Sequence, residues 1–240
     1  MTAIKTESLT KKYGEKTVVD GLCLAVEHGE LFSILGTNGA GKTTTVKMLS
    51  TLIEQSGGTA EIFGLDTKKD RQRIREMINI SPQETAIAPN LTVKENLEFM
   101  AGAYGIKNPE KKISELTEKF GLAPVLSQKG KTLSGGWQRK LSIAIALIND
   151  PKLLFLDEPT LGLDVIARKE LWRVIEELHG KVTVILTTHY MEEAEKLSDR
   201  VAIMSQGKLR AVGTPAEIIA KSGKDNFEDA FVALATGGEL

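Results

Sequence analysis

The run Gly36-Thr37-Asn38-Gly39-Ala40-Gly41-Lys42-Thr43 matches G-x-x-x-x-G-K-[ST] at every specified position, a spacing suited to holding phosphate. Its glycines let backbone N–H groups turn inward and approach phosphate oxygens closely. Lys42 supplies a point charge to the β- and γ-phosphates, Thr43 supplies a hydroxyl ligand for Mg²⁺, and Thr44 completes the loop. A following helix turns its bare N–H groups and positive dipole end to the same anion. The plain alternative is a glycine turn with an exposed lysine. The pattern favours a nucleoside triphosphate over a dinucleotide and leaves ATP and GTP unseparated.

Downstream, Leu153-Leu154-Phe155-Leu156 runs into Asp157-Glu158-Pro159, an apolar strand ending in two acids. Ligands gather at such strand ends in open parallel sheets. Asp157 can hold Mg²⁺ through water, while Glu158 polarises the attacking water. Without the upstream loop, the two acids read as solvated loop charges. Between the two motifs lies Leu133-Ser134-Gly135-Gly136-Trp137-Gln138-Arg139-Lys140-Leu141. Ser134 can cap a helix beginning near Trp137, leaving N–H groups at Gly135 and Gly136 open to a second anion. On its own, this stretch reads as a capped helix start and nothing more.

The elements that must position these residues follow from pattern. Leu31-Phe32-Ser33-Ile34-Leu35 reads as a buried strand and Thr43 to Leu49 as a helix, the context the phosphate loop requires. Tyr13-Gly14, Asp20-Gly21 and Gly57-Gly58 punctuate short antiparallel strands. From about Gln83 to Asp150 the pattern turns helical. Thr92 and Glu95 make a capping box, Asn108-Pro109 opens a helix that Gly121 can close, and Leu141, Ala144, Ile145 and Ile148 form a stripe. Strand signals return at Leu153–Leu156, Val182–Thr187 and Val201–Met204. Between them lie the stripes Leu171, Val174, Ile175 and Leu178, then Met191, Ala194 and Leu197. Strands alternating with helices imply a largely parallel sheet covered on both faces. The expected division is an α/β core over residues 1–82 and 151–213, a helical insertion over 83–150, and a helical tail over 214–240.

The 240 residues fit one domain. A formal net charge of -1 gives no overall case for nucleic acid or anionic lipid. Cys23 is the only cysteine, which excludes an internal disulfide or Cys-based zinc site and fits a reducing compartment. In Leu22-Cys23-Leu24 it reads as a small buried hydrophobe. The N-terminus lacks the apolar stretch of a signal peptide. The best apolar run, Ile143 to Ile148, is far short of the roughly 20 residues a membrane span needs. Any work at a membrane therefore calls for another chain to supply the span.

The order phosphate loop, Ser-Gly-Gly, paired acids resembles the ATP-binding cassette (ABC) ATPases, and the resemblance runs from Tyr13 to about Gly213. It implies a P-loop NTPase (RecA-like) α/β core with an N-terminal antiparallel β subdomain and an inserted α-helical subdomain. It also implies ATP and Mg²⁺ as ligands. Tyr13 matches the aromatic that stacks on adenine, and Gln83 the glutamine that touches Mg²⁺ and the attacking water. Asp164 in Leu161-Gly162-Leu163-Asp164 matches an aspartate at the dimer seam, and His189 a histidine contacting the γ-phosphate. By themselves, Tyr13 would read as a surface strand residue and His189 as a hydrogen-bonded loop histidine.

By the same resemblance, Ser134, Gly135 and Gly136 of one subunit close over ATP on the loop of another, in a head-to-tail homodimer or heterodimer. Thr37, Trp137 and Ile145 depart from positions where many relatives have proline, glutamine and arginine. The run Gln138 to Ala144 resembles the nucleotide-binding subunits of ABC-2-type exporters of drugs, antibiotics and lipids. The implied function is ATP hydrolysis driving an integral-membrane permease from the cytoplasmic face of the cell membrane, with no nucleic acid as partner. The competing reading is a soluble ABC protein of the translation-factor or assembly-scaffold kind, although translation factors of that kind usually carry two cassettes per chain. A P-loop GTPase or kinase leaves the Ser-Gly-Gly unexplained.

Overall fold

Three largely apolar runs form the middle of the molecule because each is long enough to be a strand and its few hydroxyls are hydrogen-bonded inside the fold. The structure is a computed structural model describing residues 1–237. The chain opens with β1 (Thr2–Tyr13) and β2 (Lys16–Glu27), then β3 (Leu31–Leu35) and α1 (Lys42–Leu49). β4 (Gly57–Ile62), β5 (Leu65–Asp66), α2 (Arg71–Met77) and β6 (Ile78–Ser81) follow. Next come α3 (Val93–Ala103), α4 (Pro109–Lys119) and α5 (Gly135–Ala146), with two 3-10 turns between the last pair. β7 (Leu153–Asp157), α6 (Val165–Glu176), β8 (Thr183–Thr188), α7 (Met191–Leu197) and β9 (Arg200–Ser205) complete the alternation. β10 (Lys208–Gly213), α8 (Pro215–Ser222) and α9 (Phe227–Thr236) end it. The last residues of the expected tail, 238–240, lie outside the described residues.

The main sheet runs β10-β9-β3-β8-β7-β6, parallel throughout except for the antiparallel edge strand β10. β3, β7 and β8 are buried at every residue, as central parallel strands must be. Alternation sends Phe32, Ile34, Phe155 and Ile185 to one face, against Val46, Met48 and Leu49 of α1 and the apolar side of a second sheet. That second sheet is antiparallel, in the order β2-β1-β4-β5. The opposite alternation sends Leu31, Leu154, Leu156, Val184 and Leu186 to the other face, where they share one core with α3, α4, α5 and α6. The helical segment therefore packs directly on the sheet.

Three local expectations differ from the fold. The β1–β2 hairpin has strands of 12 residues each, and Asp20-Gly21 lies within β2. Gly21, at φ 61, sits where the register shifts between Leu9 and Lys11 of the partner strand. The glycine takes up a bulge and the strand continues. Gly57 and Gly58 likewise belong to β4. A Cβ on Gly58 would lie 2.2 Å from the Ser8 carbonyl, so glycine is needed for the close approach of β1. Cys23 is exposed: β2 points Leu22, Leu24 and Val26 inward, and Cys23 falls on the outer face, where its sulfur accepts the Ser8 N–H.

Candidate nucleotide site

The loop between β3 and α1 is shaped by what lies behind it. A Cβ on Gly36 would stand 2.4 Å from the Met204 carbonyl, and one on Gly41, at φ +101, 2.8 Å from the Val18 carbonyl. Glycine at both positions lets β2 and β9 press on the loop from outside. Gly41 is also the N-cap of α1, so the first helical N–H groups face the loop. A cavity of about 400 Å³ opens there, lined by Asn38 through Thr44, together with Val18, Gln83, Glu158, Leu161 and His189.

Inside it, the side chains are already paired. Lys42 Nζ donates to the Gly36 carbonyl at 2.8 Å and the Thr37 carbonyl at 3.3 Å, and forms an ion pair with Glu158 Oε1 at 3.1 Å. Both charged side chains are 6% exposed, so the pair is desolvated. The other carboxylate oxygen of Glu158 contacts His189 Nδ1 at 2.6 Å. His189 lies against Tyr190, with ring centroids 4.1 Å apart and planes tilted by 40°. Glu158 takes φ 50, a left-handed conformation a glutamate rarely adopts. Its N–H is held by the Thr187 carbonyl and hydroxyl, each at 3.1 Å. Such outliers persist only where surrounding structure overdetermines them, and they cluster at functional sites.

Alongside, Thr43 Oγ1 donates to Asp157 Oδ1 at 3.2 Å, and Thr187 Oγ1 donates to the same oxygen. A loop hydroxyl and a strand-end carboxylate thus meet; Thr43 and Gln83 line the cavity, and Asp157 reaches it through its bond to Thr43. All three present hard oxygen atoms, the donor type Mg²⁺ selects, and a Mg²⁺ held by one or two protein groups completes its shell with water and phosphate. Among the described residues no cluster of three or more His, Cys, Asp or Glu could cage a metal. The donor set fits a metal brought in with a phosphate ligand.

Five expected positions, Tyr13, Ser134, Gly135, Gly136 and Asp164, lie apart from this cavity. Tyr13 does not line it; its ring is 52% exposed at the tip of the β1–β2 hairpin, with Lys11 Nζ 4.9 Å from the ring centroid. Ser134, Gly136 and Asp164 instead line a separate hollow of about 330 Å³, with Trp137, Lys140, Ile166, Ala167 and Glu170. Gly135 is the first residue of α5, so the helix begins before Trp137. Ser134 occupies the N-cap position without a side-chain capping bond, contrary to the role expected of its hydroxyl. Its hydroxyl and the first N–H groups of α5 stay available to a ligand. Asp164 does cap, accepting the Ile166 and Ala167 N–H groups at the start of α6.

Pattern reading missed Thr187, whose hydroxyl links both acids; in the sequence it is one more β-branched strand residue. It also missed Arg139, buried on α5, which donates to the Pro82 and Gln83 carbonyls at 2.7 and 2.6 Å. Only its placement two residues after Trp137 hinted at more than a surface cation.

The profile described as ABC transporter matches residues 19–161. "Probable multidrug ABC transporter ATP-binding protein YbhF" of Escherichia coli K12 is 40% identical over 241 residues, covering 97% of this chain and 42% of that protein. The chain therefore spans less than half of that relative. "Linearmycin resistance ATP-binding protein LnrL" of Bacillus subtilis 168 is 39% identical over 227 residues, covering 93% of this chain and 73% of LnrL. A dimeric structure of the ATP-binding cassette MJ0796, in a post-hydrolysis state bound to ADP and Pi, superposes with a TM-score of 0.79. It is 27% identical and covers 88% of this chain and 98% of that one.

Proposed function

The chain belongs to the ABC transporter family, and from that premise we propose that it binds ATP with Mg²⁺ and hydrolyses it to drive an exporter. The observation that carries this is the Lys42–Glu158–His189 chain at the phosphate loop, with Thr43 and Asp157 beside it. ATP is the substrate. Its phosphates take the loop N–H groups and the Lys42 ammonium, displacing Glu158 as the lysine's partner. Glu158, released from Lys42 and oriented by His189, orients a water and accepts its proton. Thr43, Gln83 and Asp157 would hold Mg²⁺, which when bound neutralises charge on the phosphates. Tyr13 offers an exposed ring to adenine at the hairpin tip.

Phosphoryl transfer depends mostly on positioning and charge stabilisation, which is what these prepaired groups supply. Ser134, Gly135, Gly136 and Asp164 are assigned to the seam with a second subunit, where they cover the nucleotide held by its partner. Names of relatives such as LnrL point to antibiotic or drug export, and the run from Gln138 to Ala144 points the same way. Among the described residues no helix is long and apolar enough to cross a membrane. In this reading an integral-membrane permease supplies the path, with this chain on the cytoplasmic face of the cell membrane. The test is ATP titration and phosphate release on the purified chain and on Lys42→Ala. The expected outcome is ATP-dependent phosphate release by wild type and a large loss of ATP affinity in the variant. Equal ATP affinity in both overturns the phosphate assignment.

A further inference from the structure

Arg139 is 4% exposed on α5, and its guanidinium carries a charge that burial makes costly. Burial pushes its pKa down. Asp157 and Glu193 oppose that only through space, and among the described residues no carboxylate forms an ion pair with it. Its two directional partners are main-chain carbonyls: NH1 donates to Pro82 at 2.7 Å and NH2 to Gln83 at 2.6 Å. One turn along the same helix face, Ser142 Oγ meets Ser81 Oγ at 3.0 Å. α5 therefore grips the end of edge strand β6 and the two residues that follow it. Gln83 is exposed and outside regular structure, yet it lines the phosphate cavity. Without a grip, such a loop residue would sample many placements.

We infer that Arg139 is a positioning residue: by holding the Pro82 and Gln83 carbonyls, its guanidinium fixes where the Gln83 side chain enters the phosphate cavity. It thereby ties that cavity to α5, the helix that begins at Gly135 in the separate hollow. The role uses the planar fork of arginine, with two donors spaced for two adjacent carbonyls, which the point charge of lysine cannot reproduce. This inference rests on the proposed ATPase reading for its effect on turnover, and on the apo geometry alone for its effect on the loop.

Two measurements test it on Arg139→Lys and Arg139→Met. The first is hydrogen exchange across residues 80–88 in the nucleotide-free protein, where the Ile80 and Ala88 amides are hydrogen-bonded on either side of the held carbonyls, and it should be faster in both variants than in wild type. The second is steady-state ATP turnover with the ATP dissociation constant, in wild-type and Gln83→Ala backgrounds. Turnover should fall about 10- to 100-fold, the scale on which a misplacement of about 1 Å acts, with affinity near wild type. In the Gln83→Ala background the same substitutions should cost less than about twofold more, since the group they position is already gone.

Equal losses in both backgrounds, or unchanged exchange over 80–88, overturn the inference. Should Arg139→Met fail to fold, Arg139→Lys carries both comparisons; failure of both to fold makes Arg139 a fold residue and likewise overturns it. A wild-type chain without ATP turnover refutes the proposed function instead, and the exchange comparison still decides the positioning role.

Discussion

Glu158 is asked to do two incompatible things, and its neighbours show how. It neutralises Lys42 in a dry site at 3.1 Å, yet the proposed reaction needs it free to take a proton. Phosphate resolves the conflict by offering Lys42 a stronger partner, so the carboxylate is restrained until substrate is present. Glu158→Gln keeps the shape and removes both the basicity and the competition for Lys42. Turnover should fall by about 10²–10⁴-fold, the usual contribution of a general base. ATP affinity should hold or rise, because the lysine no longer has a rival anion. Single-turnover phosphate release and equilibrium ATP titration measure the two effects separately. Near-normal turnover would remove Glu158 as the base and leave the proton to His189 or a partner-supplied group, with Gln83 positioning the water. A fall in affinity parallel to turnover would show that Glu158 shapes the loop instead.

Among the elements, α6 and α7 are joined by a buried carboxylate that the catalytic proposal does not use. Glu193 on α7 is fully buried, and its Oε1 accepts the Trp172 indole N–H of α6 at 2.9 Å, while Oε2 has no hydrogen-bond partner among the described residues. Burial pushes its pKa up. A raised pKa in the fold means that the neutral carboxyl stabilises the protein fully below the ordinary carboxylate value. That contribution is lost as pH rises through the raised one. Glu193→Gln keeps an acceptor for Trp172 and cannot ionise. Melting temperature followed upward in pH from the ordinary carboxylate value should fall in wild type relative to the variant. Parallel curves would refute the assignment. Central elements were legible in the sequence because burial on both sheet faces leaves unbroken apolar runs: β3 and β7 were placed from Leu31–Leu35 and Leu153–Leu156, with the glycine loop and the acids at their ends. Edge elements were not. β6 is four residues with Asn79 in it, and α2 is a short charged helix with only Ile74 buried. What sequence could not reveal in the site was pairing across the fold, such as Thr187 with Asp157 or Arg139 with Gln83. Periodicity records which face a residue takes and carries nothing about its partner across space.

At the scale of the molecule, the phosphate cavity and the Ser134 hollow share no lining residue. A single chain therefore presents a loop for phosphate in one place and a bare helix start in another. ATP, with turnover blocked by Glu158→Gln, should bring two chains together, because γ-phosphate charge then lies between two electropositive helix ends. ADP should do so far less. Sedimentation with each nucleotide checks this, and Ser134→Arg should remain monomeric while still binding ATP. Equal mass with ATP and ADP would sink the sandwich, or require the permease for pairing. The separation of the two surfaces also has a genetic reading. In a head-to-tail pair, one composite site takes its loop from the first chain and its Ser-Gly-Gly from the second, and the other site takes the reverse. A chain with Lys42→Ala and a chain with Ser134→Arg are each defective as homodimers. When the two are mixed, both lesions fall in the same composite site and the other is built wholly of intact parts. Two inactive alleles supplied together should therefore complement, and the ceiling on the activity they restore is one site of two.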